Sequence, residues 1–307
     1  MGPTAFLWQE LPCRIWSFII NFYEIKFPDR GAFAMTSLCY MNETFGDEAG
    51  ASLPVSDLAI QRGIGVFDTV RTYDRRPFAL AAHMERLAAS AAGCRIRLPL
   101  AEEEMASIIR EGASRIPGDS LAKAFITAGD SEEDGCFPKS RFFALFSPLK
   151  KTPDEVYSRG VALSLLPEER MLPLVKSINY MIPFSRKVPG TFEPLYCPGG
   201  EITESATSSF FAVVKGVLVT APDHRVLRGI TREILIDVAR NHGLKVEFRC
   251  LPLSELSEAS EAFVTGSVKE IAPVVRIGDA VIGTGLPGPV TLRLLHLFRR
   301  ELQRHLE

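Results

Sequence analysis

The sequence predicts an α+β chain folded in two parts, and three patterns carry that prediction. β-rich runs and helical periodicity alternate irregularly rather than in a strict β-α order. A short charged stretch bounded by prolines, PLKKTP at 148–153, divides the chain. No internal repeat or low-complexity tract crosses either half.

The regular pattern begins at Leu38. CYMNETF (39–45) and LPVSD (53–57) read as short strands around a Gly/Asp turn. GVFDTVRTYDRRPFAL (65–80) reads as a hairpin whose β-rich arms flank a polar Asp-Arg-Arg-Pro turn. Apolar residues recur at helical spacing over 81–96 and again over 101–116. LAKAFITAG and RFFALFSPL follow as strands on either side of a polar loop, DSEEDGCFPKS.

Beyond the linker, strands are expected near 160–166, at 193–197 and at 200–204, with a short helix after Lys176. SFFAVVKGVLVTAP reads as a hairpin turning at Lys215 and Gly216. A helix over Ile230–Asn241 is stopped by His242 and Gly243. Then come the strand KVEFRC, a helix near 253–260, the strands EAFVTGS and VVRIGDAVIG, and an amphipathic helix from Pro289 onward. The organisation expected is an N-terminal extension over 1–34, a small α/β domain over 35–150 and a larger domain over 151–307.

Composition narrows the function classes. Hydrophobic residues make up 46% and charged residues 23%, ordinary for a soluble globular protein. Lys plus Arg number 35 against 37 Asp plus Glu, a formal charge of -2, so no basic surplus argues for nucleic acid or a membrane surface. The six cysteines (Cys13, Cys39, Cys94, Cys136, Cys197, Cys250) are scattered, with no C-x-x-C pair and no histidine at metal spacing. That pattern suits reduced, structural cysteines in the cytoplasm and no metal. Residues 1–34 hold both tryptophans and the apolar run FIINF, yet Glu10 and Arg14 interrupt them and no small-residue cleavage site follows. They read as an appended or mis-started segment.

Four short stretches carry candidate chemistry, none decisive alone. Lys176 in LPLVKSINY keeps apolar company in Val175 and Ile178, the setting a Schiff-base lysine needs, although a lone lysine is ordinarily a solvated charge. GGEITESATSSFF places Glu204 at the end of a β-rich run before small residues; it reads as a Ser-rich turn, or as a carboxylate facing a pyridine nitrogen. LRGITREILIDVA opens a helix at Gly229, Ile230 and Thr231, where free N–H groups favour an anion and where Thr231 reads first as an N-cap. VTGSVKEIAPV ends a strand in small residues including Ser267. Arg86 in HMERL reads as an exposed helix charge or as the countercharge of that anion.

The ordered set GVFDTVRTY, HMERL, LPLVKSINY, GEITESATSSFFAVVKGVLVTAP, LRGITRE, FVTGSVKEIAPV and GPVT closely resembles the class IV pyridoxal-phosphate aminotransferases, from about Cys39 onward. That family takes in branched-chain and D-amino-acid aminotransferases and aminodeoxychorismate lyase. The resemblance implies the fold-type IV architecture: a small N-terminal α/β domain and a larger C-terminal pseudo-barrel, with the active site between them and a homodimer completing it. It implies pyridoxal 5'-phosphate as cofactor, an amino acid and a 2-oxo acid as substrates, and no nucleic-acid or membrane partner. Lys176 would hold the cofactor as a Schiff base and act as general acid and base, and Glu204 would pair with the ring nitrogen. Arg86, Ile230, Thr231 and Ser267 would hold the phosphate, and Tyr180 would lie near the phenolic oxygen.

Three departures bear on substrate. Ser209 stands where the family usually has asparagine, and the span from Lys176 to Glu204 is short and carries Pro183 and Pro189, which interrupt the helix after the lysine. The loop after AFITAG is acidic (Asp130, Glu132, Glu133, Asp134) instead of carrying an arginine and histidine as a carboxylate trap. If that loop lines the site, it disfavours a chorismate-derived dianion and with it the lyase. Lys123, roughly where branched-chain enzymes keep an arginine, and Arg71, on the same strand face as Tyr73, are the candidates for the substrate carboxylate. The expected activity is thus an aminotransferase with a branched-chain-like donor. The alternatives are the lyase, separated by a p-aminobenzoate assay, and a non-catalytic binding protein, which would show no half-reaction.

Overall fold

A computed structural model describes residues 37–307. The expected N-terminal extension, residues 1–34, lies outside them. Strands β1 (Leu38–Met41) and β2 (Thr44–Asp47) form a hairpin whose tip residues, Asn42 and Glu43, sit at φ 51 and 63. Both are left-handed, as a two-residue turn matched to strand twist requires. Residues 53–57, expected as a strand, are irregular instead. Pro54 has no N–H to give a ladder, and Asp57 turns its carboxylate to cap helix α1 (Leu58–Arg62), accepting from Ala59 N at 2.8 Å.

Strands β3 (Gly65–Tyr73) and β4 (Arg76–Pro77) form the expected hairpin, and helices α2 (Leu80–Gly93) and α3 (Glu102–Arg115) follow. Then come β5 (Ser120–Thr127) and β6 (Arg141–Pro148), which complete an antiparallel sheet in the order β2-β1-β6-β5-β3-β4. Leu80, Met84 and Leu87 of α2 and Met105 and Ile109 of α3 pack on its inner face with Val66, Val70 and Phe146. The alternation of β3 turns Val66, Asp68 and Val70 into this core and leaves Phe67, Thr69 and Arg71 on the other face.

The second part opens with α4 (Asp154–Arg159) and β7 (Val161–Leu166), then α5 (Met181–Ser185), which carries Pro183. Strands β8 (Glu193–Tyr196), β9 (Glu201–Ile202), β10 (Glu204–Ser205), β11 (Ser208–Val214) and β12 (Val217–Thr220) lead to α6 (Ile230–Asn241). After β13 (Val246–Phe248) and β14 (Leu251–Pro252), the stretch expected as a helix near 253–260 is a 3-10 helix ending at Glu258, where β15 (Ala259–Gly266) begins. β16 (Glu270–Ile277), β17 (Ala280–Val281) and α7 (Pro289–Glu301) finish the chain with a 3-10 turn.

The sheet order is β10-β8-β7-β16-β15-β11-β12-β13, and β10 also pairs with β11. Six strands therefore close into a barrel-like ring, with no free edge in that circuit. Every residue of β11 is buried. Phe210, Ala212 and Val214 pack on one side with Leu195 and Val264, while Phe211 and Val213 pack on the other under Leu235 of α6 and Phe298 of α7. A strand covered on both faces reads as an unbroken apolar run, which is what SFFAVV is. Among the described residues no helix is long and apolar enough to cross a membrane.

Gly112 of α3 stands so close to the Phe146 ring that a Cβ there would lie 2.2 Å from Cζ. Alanine is favoured over glycine in a helix by about 1 kcal/mol, but overpacking a filled core costs about 1–3 kcal/mol. Gly112→Ala is expected to lower the thermal unfolding midpoint despite its better propensity. A midpoint at or above the wild-type value contradicts this packing.

Candidate active site

A cavity of about 490 Å³ opens between the exposed face of β3 and β5 and the barrel ends of β10, β11 and β15. The Lys176 backbone is laid along β3: Phe67 N donates to Lys176 O at 3.0 Å, and Ile178 N donates to Gly65 O at 3.1 Å. Ser90 Oγ of α2 accepts from Lys176 N at 3.1 Å, and the neighbouring Val175 is buried in the first core. These contacts fix where the side chain starts, and its Nζ ends 4.9 Å from the centre of the Phe67 ring. Burial, then the charges of Arg86 and Arg170, pull the Lys176 amine down to about 7. No described residue forms an ion pair with it. A lysine so placed spends much of its time as a neutral amine, which is the nucleophilic form.

Arg86 is not an exposed helix charge. Its Nε and Nη2 grip both oxygens of Asp68 at 2.9 and 2.8 Å, and its Nη1 donates to Arg228 O at 3.1 Å. His83 Nδ1 lies 2.7 Å from Asp68 Oδ1. Burial alone would push the Asp68 carboxyl up, but Arg86 and His83 hold it far below the usual carboxylate range. Burial keeps His83 below its ordinary value in turn. The arginine is thus anchored from beneath, with one edge left toward the cavity.

The N-cap of α6 is Gly229, with no side-chain cap, so Thr231 is not the cap its sequence position suggested. Thr231 lies inside the first turn, buried, and lines the cavity with Ile230. A Cβ on Gly229 would stand 2.7 Å from Ser209 Oγ, so glycine is what lets the uncapped helix end approach the barrel. Across from it, the Thr265 hydroxyl is buried and has no partner among the described residues, and Ser267 completes the wall. Free helix N–H groups, hydroxyls and a guanidinium line the same cavity, a donor set suited to a phosphate dianion.

Glu204, buried on β10, lines the same cavity. Its Oε1 lies 3.0 Å from Arg170 Nη1 in an ion pair and accepts from Leu227 N at 3.3 Å. Burial pushes its carboxyl up, against the pull of Arg170. Tyr180 also lines the cavity. Beside Glu204, the buried Glu193 collects Thr207 N at 2.9 Å, Ser208 Oγ at 2.5 Å and Lys269 Nζ at 2.9 Å, tying the turn after β10 to the turn after β15.

Of the residues singled out from sequence, Lys176, Arg86, Glu204, Tyr180, Ile230, Thr231, Ser267 and Lys123 come together in this cavity. Arg71 does not. It is held by Glu270 Oε1 at 3.1 Å and Val268 O at 3.0 Å and stacks 4.1 Å over Tyr73. Lys123 is exposed, and no described residue pairs with it. The acidic loop is turned away: Asp130 pairs with Arg141 at 2.9 Å, Glu133 with Lys139 at 3.4 Å, and none of 130–134 lines the cavity. The loop therefore puts no negative charge on the cavity wall of its own chain. Sequence reading passed over Asp68, His83 and Arg170. An acid at a core-facing position of β3, and a histidine three residues before Arg86 on one helix face, were signals for the first two.

Residues 65–277 match the family model described as Amino-transferase class IV. A putative branched-chain-amino-acid aminotransferase of Methanocaldococcus jannaschii is 32% identical over 276 residues, covering 85% of this chain and 94% of that one. A D-alanine aminotransferase of Listeria monocytogenes is 27% identical over 86% of this chain and 96% of its own length. Among solved structures, a T.th. branched-chain amino acid aminotransferase complexed with N-(5'-phosphopyridoxyl)-L-glutamate superposes with a TM-score of 0.81 at 25% identity, covering 89% of this chain and 98% of that one. The branched-chain amino acid aminotransferase from Escherichia coli gives a TM-score of 0.75 at 25% identity, with 89% and 96% covered.

The depressed Lys176 amine has a consequence for the cofactor-free protein. An unfolded lysine titrates near 10.4, whereas the folded one titrates at about 7. Between those values the unfolded chain binds the extra proton, so this group makes stability rise with pH. Lys176→Met is expected to be more stable than wild type at pH 6, by an amount that shrinks as pH rises to 10. Denaturant unfolding across that range reads it; a pH-independent difference contradicts the assignment.

Proposed function

The chain belongs to the class IV aminotransferases, pyridoxal-phosphate-dependent enzymes, and on that premise we propose that it exchanges an amino group between an amino acid and a 2-oxo acid through Lys176. The observation that carries the proposal is a buried lysine amine, pulled down to about 7, in one cavity with an anion cradle and a buried carboxylate. The residues fit the cofactor on this structure's own terms. The unpartnered Thr265 hydroxyl, the uncapped α6 terminus and the Arg86 edge suit its phosphate, and Glu204 suits a protonated ring nitrogen.

When bound, the cofactor supplies an electron-accepting ring that stabilises negative charge at the substrate α-carbon. In our reading Arg86, the Ile230 and Thr231 backbone, the Thr231 hydroxyl and Ser267 hold the phosphate. Glu204 keeps the ring nitrogen protonated, and Tyr180 faces the phenolic oxygen. Lys176 Nζ anchors the cofactor and, as a free amine, carries the proton lost from the substrate α-carbon.

We assign the substrate carboxylate to Lys123, which reaches the cavity without an acid of its own, and leave Arg71 to its contact with Glu270. Phe67, Leu121, Phe125, Ile178 and Phe184 give the cavity apolar walls, which favour a branched-chain-like side chain. Met171, Leu174, Met181 and Phe184 are 62%, 57%, 77% and 67% exposed on the segment flanking Lys176. An apolar stretch of that kind marks a partner surface, and we take the partner to be a second copy. We take 149–153 as the boundary between the two domains, and the cytoplasm, where thiols such as Cys39 and Cys94 stay reduced, as the compartment.

The purified protein is expected to be yellow and to lose its visible band when a branched-chain amino acid is added, as the amino group passes to the cofactor. D-amino acids and p-aminobenzoate formation serve as controls for the other chemistries of the family. Lys176→Ala should reduce transamination by at least about a thousandfold. Turnover retained in that variant sinks the proposal.

A further inference from the structure

Arg170 lies in the loop between β7 and α5 and, beyond its charge helping to lower the Lys176 amine, has no part in the chemistry above. Its side chain is 10% exposed, buried against Glu204 at 3%. Nη1 holds Glu204 Oε1 at 3.0 Å, the same oxygen that Leu227 N reaches at 3.3 Å. No described residue bonds Oε2, so that oxygen is the one left to the cavity. The Tyr180 and Tyr196 phenols also lie near the guanidinium. One buried cation therefore stands behind both Glu204 and Tyr180.

In the function proposed above, on which this inference rests, Glu204 and Tyr180 are the partners of the cofactor's ring nitrogen and phenolic oxygen. The ring nitrogen and the carbon bearing that oxygen flank a single methyl-bearing carbon, so the two groups share one edge of the ring. We propose that Arg170 is a positioning residue that selects the oxygen Glu204 presents and holds a fixed positive charge behind the ring edge carrying the nitrogen and the phenolic oxygen. A purely structural role, neutralising a buried glutamate so that the barrel folds, would fix Glu204 equally well. It would leave the proton equilibria of the bound cofactor untouched.

The two are separated by titrating the visible absorption of the cofactor-loaded enzyme with pH. Removing a nearby cation favours every protonated form around it. Arg170→Gln and Arg170→Met are expected to raise the midpoint of the spectral transition by about one unit, roughly a tenfold change. Arg170→Lys, which keeps the charge, should stay within a few tenths of wild type. Neutral variants with an unchanged or lowered midpoint, spectra indistinguishable from wild type between pH 5 and 10, or a lysine variant that shifts as far as the neutral ones each overturn the proposal. So does failure of both neutral variants to take up cofactor while their circular dichroism matches wild type, because Arg170 would then be needed for binding and not for tuning. A wild-type protein with no visible band at all removes the cofactor assignments themselves, and is told apart by that.

Discussion

Drawing one lysine amine out of water without giving it an acid is the constraint around which this site is organised. Among the described residues, the other cations buried near the cavity have carboxylates of their own: Arg86 has Asp68, Arg170 has Glu204, Lys269 has Glu193, Arg71 has Glu270, and Arg232 has Asp223 and Glu233. Each pair answers the desolvation of both members by mutual attraction and by further hydrogen bonds. For Lys176, burial and the repulsion of Arg86 and Arg170 outweigh the pull of Asp68 and Glu204, whose charges those two arginines already engage. The pairs thus do more than satisfy themselves; among the described residues they leave no carboxylate in an ion pair with Lys176.

The fold delivers this arrangement by bringing ends of elements together. β3 sends Asp68 inward to hold Arg86 and keeps Phe67 outward beneath Lys176, a separation that period-two alternation produces within two adjacent residues. Closure of the barrel through the β10–β11 pair sets Glu204 beside the start of α6, whose uncapped first turn needs an acceptor from outside the helix. Glu270 then ties Arg71 and Tyr73 of the first sheet to Arg299 of α7, so the two walls of the cavity are held to each other.

The parts legible in the sequence were those whose cause is local. Both hairpins, the helices over 80–93, 102–115 and 230–241, and the buried β11 follow from periodicity and turn residues. LPVSD misled because its apolar residues alternate like a strand, although Pro54 and the capping Asp57 belong to a helix start. Thr231 was misplaced by two residues because a glycine N-cap leaves no side-chain signal. Arg71 and Lys123 looked equivalent until Glu270, nearly two hundred residues along, claimed one of them. Arg170 was invisible for the same reason: in PEERML it is one charge among several, and its partner arrives only when the barrel closes.

The most direct measurement is to reduce the cofactor-loaded protein with borohydride, digest it, and locate the added mass by tandem mass spectrometry. One modified residue, Lys176, is expected in every chain. Label on Lys123 or Lys269 instead, or no covalent label on a protein that binds the cofactor, contradicts it.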